Sequence, residues 1–270
     1  MKRAVIMGAT SGIGKDVATL LANQGWQVAV AGRRETLLVQ LESEHENIVC
    51  HKQIDVNQDD APQLLEELIA SLGGMDLYFH SSGIGWQNTE LDEEKELKTV
   101  TTNCLGFTRM VDAAFNWYAK RPNDGHKSGH CRRIACITST AGTKGLGAAP
   151  AYSATKRFQS NYLEALAQLS SIRHSHIKIL EIRPGFVATD LIANADYPMQ
   201  MKSMYVAEKI VSAINHNKTV ATIDWKYSVL VALWRLIPRC LWTMLKIDRV
   251  SQVFEFAASK RTNTFNNKKV

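Results

Sequence analysis

The 270-residue sequence has no run of about 18 uncharged apolar residues, so it predicts no membrane-spanning helix. It has no Cys-x-x-Cys pair, and the odd number of its five cysteines does not fit complete pairing in disulfides. Residues 1–10 lack the apolar core of a signal peptide. We therefore expect reduced thiols and a cytoplasmic protein.

A large excess of charge is missing from most of the chain. Residues 1–224 carry 23 Lys and Arg against 24 Asp and Glu, whereas residues 225–270 carry 9 against 2. The net charge of +6 therefore belongs to the last segment, and the larger segment gives no support for nucleic-acid binding. The content of 45% apolar and 21% charged residues is typical of a folded domain.

Short β-branched runs alternate with helical patterns along the chain. The predicted strands are Arg3–Met7, Gln27–Ala31, Ile48–Gln53, Met75–Ser81, Arg133–Ser139 and Ile177–Arg183. The predicted helices are Gly14–Asn23, Glu35–Glu44, Ala61–Leu72, Asp92–Lys120 and Ala151–Ser171. This alternation predicts an α/β fold with right-handed crossovers and a parallel sheet that is covered on both faces.

A glycine-rich segment, Gly8-Ala9-Thr10-Ser11-Gly12-Ile13-Gly14, lies between the first strand and the first helix. Glycine permits a tight turn and a close approach of the backbone to a pyrophosphate, and the helix N-terminus attracts that anion. A plain turn is the alternative. The second strand is followed by Arg33 and Arg34 instead of the acidic residue that would hold the ribose of NAD. Two arginines there favour the 2′-phosphate of NADP(H), although both could be solvated surface residues.

Tyr152 and Lys156 are four residues apart, which places them on one face of a predicted helix. A free tyrosine titrates near pH ~10. We expect the Lys156 ammonium to lower the pKa of Tyr152 enough for proton transfer near neutrality. A Tyr-x-x-x-Lys pattern alone arises often by chance. The context strengthens it, because Ser139, Asn103 and the segment Pro184-Gly185-Phe186-Val187-Ala188-Thr189 are predicted to converge on the ligand-binding edge of the sheet.

Residues 1–225 resemble the short-chain dehydrogenase/reductase family. The resemblance is carried by GATSGIG, Asp55, NxxG, ITSxxG, YxxxK and PGxVxT, which occur in the family's order. It implies a single Rossmann-type, doubly wound domain that transfers hydride to or from a nicotinamide cofactor. It also implies a homo-oligomer. We divide the chain into this domain, residues 1–224, and a helical extension, residues 225–270.

The resemblance also implies residue roles. Tyr152 would be the general acid/base, and Lys156 would tune it and hold the nicotinamide ribose. Ser139 would bind the substrate oxygen, and Asn103 would anchor a water in a proton relay. Asp55 and Val56 would lie beside the adenine, with Thr189 beside the carboxamide; the other cofactor contacts would come from the glycine-rich segment, from Ser82 and Gly83, and from Pro184, Gly185 and Val187.

The sequence departs from the family pattern in three places. Met7 replaces a threonine, and Ser11 stands where many NADP-preferring members have a basic residue. The usual Asn-Asn-Ala-Gly reads His80-Ser81-Ser82-Gly83, so the bracing of the sheet must be made differently. We interpret His80 as a packed or hydrogen-bonded residue rather than a catalyst.

Residues 190–205 fall where the family has a variable substrate lid. Met residues in it, together with Trp86, Leu146 and Phe186, predict an apolar carbonyl or alcohol substrate, unless they only pack the lid. The polar segment Lys120–Arg132 contains His126, His130 and Cys131. We interpret it as a solvated loop and not as a metal site, since no fourth ligand has suitable spacing.

Residues 225–247 show an apolar stripe, formed by Leu230, Trp234, Ile237, Leu241 and Met244. Basic residues lie opposite, and Pro238 could divide the segment into two helices. Three interpretations stay open: docking on the body or the substrate mouth, a dimer contact, and attachment to a membrane surface. The competing function is a cofactor-sensing or membrane-peripheral binding protein with little catalysis.

Overall fold

The computed structural model describes residues 1–120, 132–189 and 199–245. Its strands are β1 (Arg3–Met7), β2 (Gln27–Gly32), β3 (Ile48–Gln53), β4 (Leu77–His80), β5 (Arg133–Ile137), β6 (Lys178–Arg183), β7 (Val187–Ala188), β8 (Met201–Lys202) and β9 (Val220–Thr222). Its helices are α1 (Gly12–Asn23), α2 (Glu35–Glu44), α3 (Ala61–Leu72), α4 (Glu93–Val100), α5 (Phe107–Ala119), α6 (Pro150–Ile172), α7 (Ser203–Asn215), α8 (Trp225–Arg235) and α9 (Arg239–Met244).

A parallel seven-stranded sheet of order β3-β2-β1-β4-β5-β6-β9 forms the middle layer. Its central strands are apolar at successive positions because both faces are buried. Ile6 and Val30 belong to the core on the side of α1, α7 and α8, whereas Val5 and Ala29 belong to the core beneath α3, α5 and α6. The predicted doubly wound α/β fold is therefore confirmed.

The strand order reverses at β1, which lies between β2 and β4. A crevice opens at such a reversal, outside the carboxyl ends of the strands, and it is the usual ligand site of open α/β sheets. Here the backbone of the first turn is tied to both neighbours: Gly8 N donates to Ala31 O at 2.8 Å, and Ser81 N donates to Met7 O at 2.8 Å. The glycine-rich segment thus lies in the crevice.

The predicted helix Asp92–Lys120 is wrong in one respect. A π-helical segment, Thr101–Gly106, separates α4 from α5. The extra residue in such a turn moves side chains relative to the regular helix, and these turns recur at functional sites. Here the turn contains Asn103, whose side chain bonds the backbone of Ile84.

Two strand predictions also need correction. The strand predicted over Met75–Ser81 spans only Leu77–His80 as β4, and the strand predicted over Arg133–Ser139 ends at Ile137 as β5. Strand β9 was not predicted at all. It has three residues, of which Val220 is exposed, so it has too little apolar pattern to be recognised.

The described part of the C-terminal extension docks on the body. Pro238 separates α8 from α9, and Tyr227, Trp234 and Trp242 are buried in the core on the α1 side. The residues of the predicted apolar stripe face the core only before Pro238. Leu241 and Met244 are 55% and 75% exposed, since the break rotates the second helix and buries Trp242 instead.

Candidate active site

The turn after β1 requires glycine at two positions. Gly8 has φ +88°, and a Cβ there would lie 2.7 Å from Ser82 N. A Cβ on Gly14 would lie 2.1 Å from Gly8 O. The residue before α1, Ser11, makes no side-chain cap, so the first turn of α1 keeps N–H groups for an anion. This is a cradle of the kind that a pyrophosphate fits.

Two distant segments meet the cradle. A Cβ on Gly12 would lie 3.0 Å from the Thr189 methyl carbon, which places the end of the Pro-Gly-x-Val-x-Thr segment at the start of α1. On the other side, Arg34 Nη2 donates to Thr10 Oγ1 at 2.8 Å and to Ser11 Oγ at 2.7 Å. The Arg34 guanidinium is therefore held at the rim of the cradle while remaining exposed.

The remaining nucleotide-binding predictions lie along the same edge. Arg33 is exposed, and its carbonyl accepts from Gln53 Nε2 at 2.9 Å. Asp55 Oδ1 accepts from Asn57 N at 3.0 Å, and Val56 is buried. The backbone of Ile54 bonds to Gly32 O, so the turn that contains Asp55 lies beside the end of β2.

His80 is a packed residue, as interpreted from the sequence. It is fully buried, its Nδ1 is 2.9 Å from the Tyr78 hydroxyl, and its ring meets the edge of Phe107. Burial, followed by the nearby charge of Lys156, lowers the pKa of His80 to about 3. A permanently neutral imidazole in the sheet is structural, and it replaces the asparagine that the resemblance led us to expect.

Beyond Ser82, the crevice passes to the catalytic residues predicted from the sequence. A Cβ on Gly83 would lie 3.3 Å from Asn103 Oδ1 and 3.4 Å from Lys156 Nζ. Ser139 lies close enough to the Tyr152 hydroxyl to lower its pKa. The structure thus brings Asn103, Ser139, Tyr152 and Lys156 to one end of the crevice and the glycine-rich turn to the other.

The expected depression of the Tyr152 pKa is wrong. Burial raises the pKa of the phenol above its ordinary value, and the hydrogen bond with Ser139 opposes that effect. The physical reason is burial of the phenol; the Lys156 Nζ lies 5.8 Å from the centre of the Tyr152 ring and donates to Ile137 O at 3.2 Å. The phenol therefore keeps its proton at neutral pH.

Lys156 is 5% exposed, and burial lowers its pKa to about 8. Its ammonium also donates to Gln159 Oε1 at 2.9 Å. Gln159 was missed in the sequence. A signal for it exists, because Gln159 lies three residues after Lys156 on the face of α6 that is buried throughout, where an unpaired amide would be costly.

Gly85 was also missed. A Cβ there would lie 2.2 Å from Tyr152 Cδ2, so the backbone at Gly85 lies against the phenol ring. Trp86, the next residue, is 40% exposed, whereas Leu146 is buried in the core and does not line an open mouth. Residues 190–198 of the predicted lid lie outside the described residues.

The Pro-Gly-x-Val-x-Thr segment is anchored from both sides. Pro184 O accepts from Thr140 N at 3.0 Å, and Val187 is buried in β7. A Cβ on Gly185 would lie 2.0 Å from the Tyr227 ring, so α8 fixes this segment from the outside.

The helices of the extension also border the loop that follows Ser139. Trp234 Nε1 donates to Thr143 Oγ1 at 2.8 Å, and Trp242 Nε1 donates to Gly145 O at 2.7 Å. In the described ranges, no helix combines the length and apolar character that crossing a bilayer requires.

No group of three potential metal ligands occurs among residues 1–120, 132–189 and 199–245. His126, His130 and Cys131, which the sequence analysis considered, lie outside the described residues.

Comparison with known proteins gives a consistent result. The family model for short chain dehydrogenases matches residues 2–200. An uncharacterized oxidoreductase of Myxococcus xanthus (strain DK1622) is 29% identical over 249 residues, which are 89% of this chain and 94% of that protein.

Two solved structures are similar in fold. The 3-ketoacyl-(acyl-carrier-protein) reductase of Brucella melitensis, complexed with NADH, has a TM-score of 0.73 at 21% identity and covers 84% of this chain and 98% of its own. A short-chain dehydrogenase of Sphingobium yanoikuyae, in complex with NADPH, has a TM-score of 0.71 at 18% identity and covers 93% of this chain and 98% of its own. At such identities the likeness shows the fold.

Proposed function

The chain belongs to the short chain dehydrogenase family, and on that premise we propose that it is an NADP(H)-dependent oxidoreductase acting on an apolar carbonyl or alcohol substrate. The observation that carries the proposal is the closeness of the segments at this edge of the sheet: a Cβ on Gly8 would lie 2.7 Å from Ser82 N, and a Cβ on Gly83 would lie 3.4 Å from Lys156 Nζ. The glycine cradle lies at one end of this edge and the predicted catalytic residues Ser139, Tyr152 and Lys156 lie at the other.

The dinucleotide would lie along this crevice. The turn Gly8–Gly14 and the N-terminus of α1 would hold the pyrophosphate, with Asp55 and Val56 beside the adenine. Lys156 would bind the nicotinamide ribose, and Thr189 would bind the carboxamide. Bound nicotinamide supplies or accepts the hydride.

Arg34 supports NADP(H) rather than NAD(H). Its guanidinium already bonds two hydroxyls at the rim of the cradle, Thr10 and Ser11, and β2 ends without an acidic residue. A guanidinium recognises a phosphate through paired charged hydrogen bonds. The Sphingobium yanoikuyae structure was determined with NADPH, and the Brucella melitensis structure with NADH. The preference therefore rests on Arg34.

Tyr152 would act as the general acid. Because its pKa is raised, the phenol carries the proton that a carbonyl oxygen needs as it becomes an alcohol. Ser139 would donate a hydrogen bond to the same oxygen.

The apolar substrate class is supported by exposed apolar side chains in two segments. Trp86 follows Gly85, on which the Tyr152 ring rests, and Met199 and Met204 flank β8. β8 pairs with β7, and β7 ends at Ala188, directly before Thr189. The two methionines are therefore close in the fold to the segment that contains Thr189. Methionine side chains adapt to apolar ligands of varied shape.

The test is NADPH consumption with a panel of ketones, aldehydes, quinones and sterols. With any substrate found, Tyr152→Phe should lower kcat/KM by about 10²- to 10⁴-fold, the usual contribution of a general acid, with NADPH affinity preserved. Tyr162→Phe, on the same helix, is the matched control, because its hydroxyl bonds Asp112 away from the crevice. Undiminished turnover by Tyr152→Phe would refute the assignment.

The competing function is a binding protein that takes up NADPH without reacting. Tight NADPH binding without consumption across the panel would favour it. The exposed Leu233, Leu236 and Leu241 keep attachment to a membrane surface open as a prediction. Sedimentation of the full chain with anionic liposomes tests that attachment. Homo-oligomer formation likewise stays a prediction from the family.

A further inference from the structure

A chain of three buried groups runs through the interior behind Tyr152. The Lys156 ammonium donates to Gln159 Oε1 at 2.9 Å, and Gln159 Nε2 donates to Asn103 O at 2.9 Å. Gln159 and Asn103 are fully buried. The bond from Gln159 to Asn103 connects α6 to the π-helical segment, and the two residues are 56 positions apart in the sequence.

The orientation of the Gln159 amide is fixed by its neighbours. An ammonium only donates and a backbone carbonyl only accepts, so the amide oxygen must face Lys156 and the NH₂ must face Asn103. The opposite orientation would place two donors together at one end and two acceptors together at the other. The amide dipole therefore points its negative end at the lysine charge.

The Asn103 side chain is committed elsewhere. Its Oδ1 accepts from Ile84 N at 2.9 Å, and its Nδ2 donates to Ile84 O at 2.7 Å and to Thr155 Oγ1 at 3.1 Å. These bonds hold the π-helical turn against the loop that follows β4. The carbonyl of Asn103 is thus a rigid support for the Gln159 amide.

We propose that Gln159 is a positioning residue, which fixes the Lys156 ammonium beside the crevice and stabilises its charge through the amide bridge to Asn103. This inference rests on the proposed function for its catalytic consequence. The position of the Lys156 ammonium depends on groups of this chain alone, so it can be tested without a substrate.

Several titratable side chains lie near Lys156, and none of them carries a negative charge that would stabilise its ammonium. The thiols of Cys104 and Cys136 have pKa values raised by burial, and His80 stays neutral. Tyr152 keeps its proton. The neutral Gln159 amide is therefore the side chain that accepts from the ammonium, and without it burial would depress the pKa of Lys156 further below about 8.

The direct test is titration of Lys156 in protein with isotope-labelled lysine Cε, its signal being identified by its loss in Lys156→Met. Gln159→Leu should lower the Lys156 pKa by about one pH unit, because a hydrogen bond to a charged group is lost. Gln159→Glu should raise it, because a carboxylate stabilises the ammonium. Gln168→Leu, at an exposed position of α6, should leave it unchanged.

Opposite shifts in the two variants are the signature of charge positioning, since loosened packing would not reverse sign. If Gln159→Leu does not fold, Gln159→Met takes its place with the same expected direction. An unchanged Lys156 pKa in the folded variants overturns the proposal. Lack of turnover by the wild type, with both shifts present, would count only against the proposed function.

The kinetic consequence is a moved pH profile. Because the ammonium is lost as the pH rises through its pKa, wild-type kcat/KM for reduction should fall above pH about 8. The falling limb should move to lower pH in Gln159→Leu and to higher pH in Gln159→Glu. Limbs that do not follow the measured lysine titration would contradict the proposed route from Gln159 to catalysis.

Discussion

The two ends of the crevice are built in different ways. The end at the glycine-rich turn is shaped by backbone: a Cβ added at Gly8 or at Gly14 would lie only 2.7 Å or 2.1 Å from a neighbouring backbone atom. The end at Tyr152 is shaped by side chains from distant segments, such as Gln159 and Asn103, which hydrogen-bond across the interior. The glycine-rich end depends on the absence of Cβ atoms, and the Tyr152 end depends on hydrogen bonds made by polar side chains.

This difference teaches how each end should fail. A side chain added to the turn collides with backbone, which cannot move without displacing β1 or β4. A change at the Tyr152 end disturbs orientation and charge and leaves the cradle in place. Substitutions at the two ends should therefore separate cofactor binding from turnover.

The largest effect is expected at the turn. Gly14→Ala places a Cβ 2.1 Å from Gly8 O, so the turn must shift away from its anion-binding geometry. We expect NADPH affinity, measured by fluorescence titration, to fall by about 100-fold or more, which corresponds to roughly 3 kcal/mol. Gly145→Ala is the matched control, since nothing lies within 4 Å of that position. Equal effects of the two substitutions would contradict the backbone account of this end.

A smaller and more selective effect is expected at Gly85. A Cβ there meets the Tyr152 ring at 2.2 Å, and the ring can tilt because it is a side chain. A displaced acid costs about 10- to 100-fold in kcat for carbonyl reduction. NADPH affinity should stay near the wild-type value. A Gly85→Ala variant that loses cofactor binding as strongly as turnover would erase the proposed separation.

The smallest effect is expected at the rim. Arg34→Ala removes a charged donor beside Thr10 and Ser11, so NADPH affinity should fall by about tenfold while NADH affinity is unchanged. Arg33→Ala should do less, because only Arg34 of the two is held by those hydroxyls. Equal loss for both dinucleotides would show that Arg34 shapes the turn instead of reading the 2′-phosphate.

Much of the fold could be predicted because its signals are local. Apolar runs such as residues 3–7 and 27–31 are typical of strands buried on both faces, and all six predicted strands are present. The π-helical segment at Thr101–Gly106 could not be predicted, because it is stabilised by bonds from Asn103 to Ile84 and Thr155. The same holds for β9, whose place in the sheet depends on pairing with β6.

The candidate site divides in the same way. The glycine-rich segment and the Tyr152 and Lys156 pair have fixed spacings that a sequence displays. The raised pKa of Tyr152 does not follow from spacing, since it depends on burial. The stripe of the C-terminal segment predicted Trp234 as buried, but Leu241 is exposed because packing after Pro238 selects Trp242.

By itself, the sequence determined the parallel α/β sheet, the cradle between β1 and α1, and the identities of the groups that could exchange a proton. These depend on neighbours within a few residues, where chain geometry leaves few choices. Only the tertiary structure decided which groups share a hydrogen bond and which charges are buried. Contacts such as Gln159 to Asn103 and Trp242 to Gly145 join segments that are far apart in the chain, and their electrostatic effect depends on the burial that the whole fold creates.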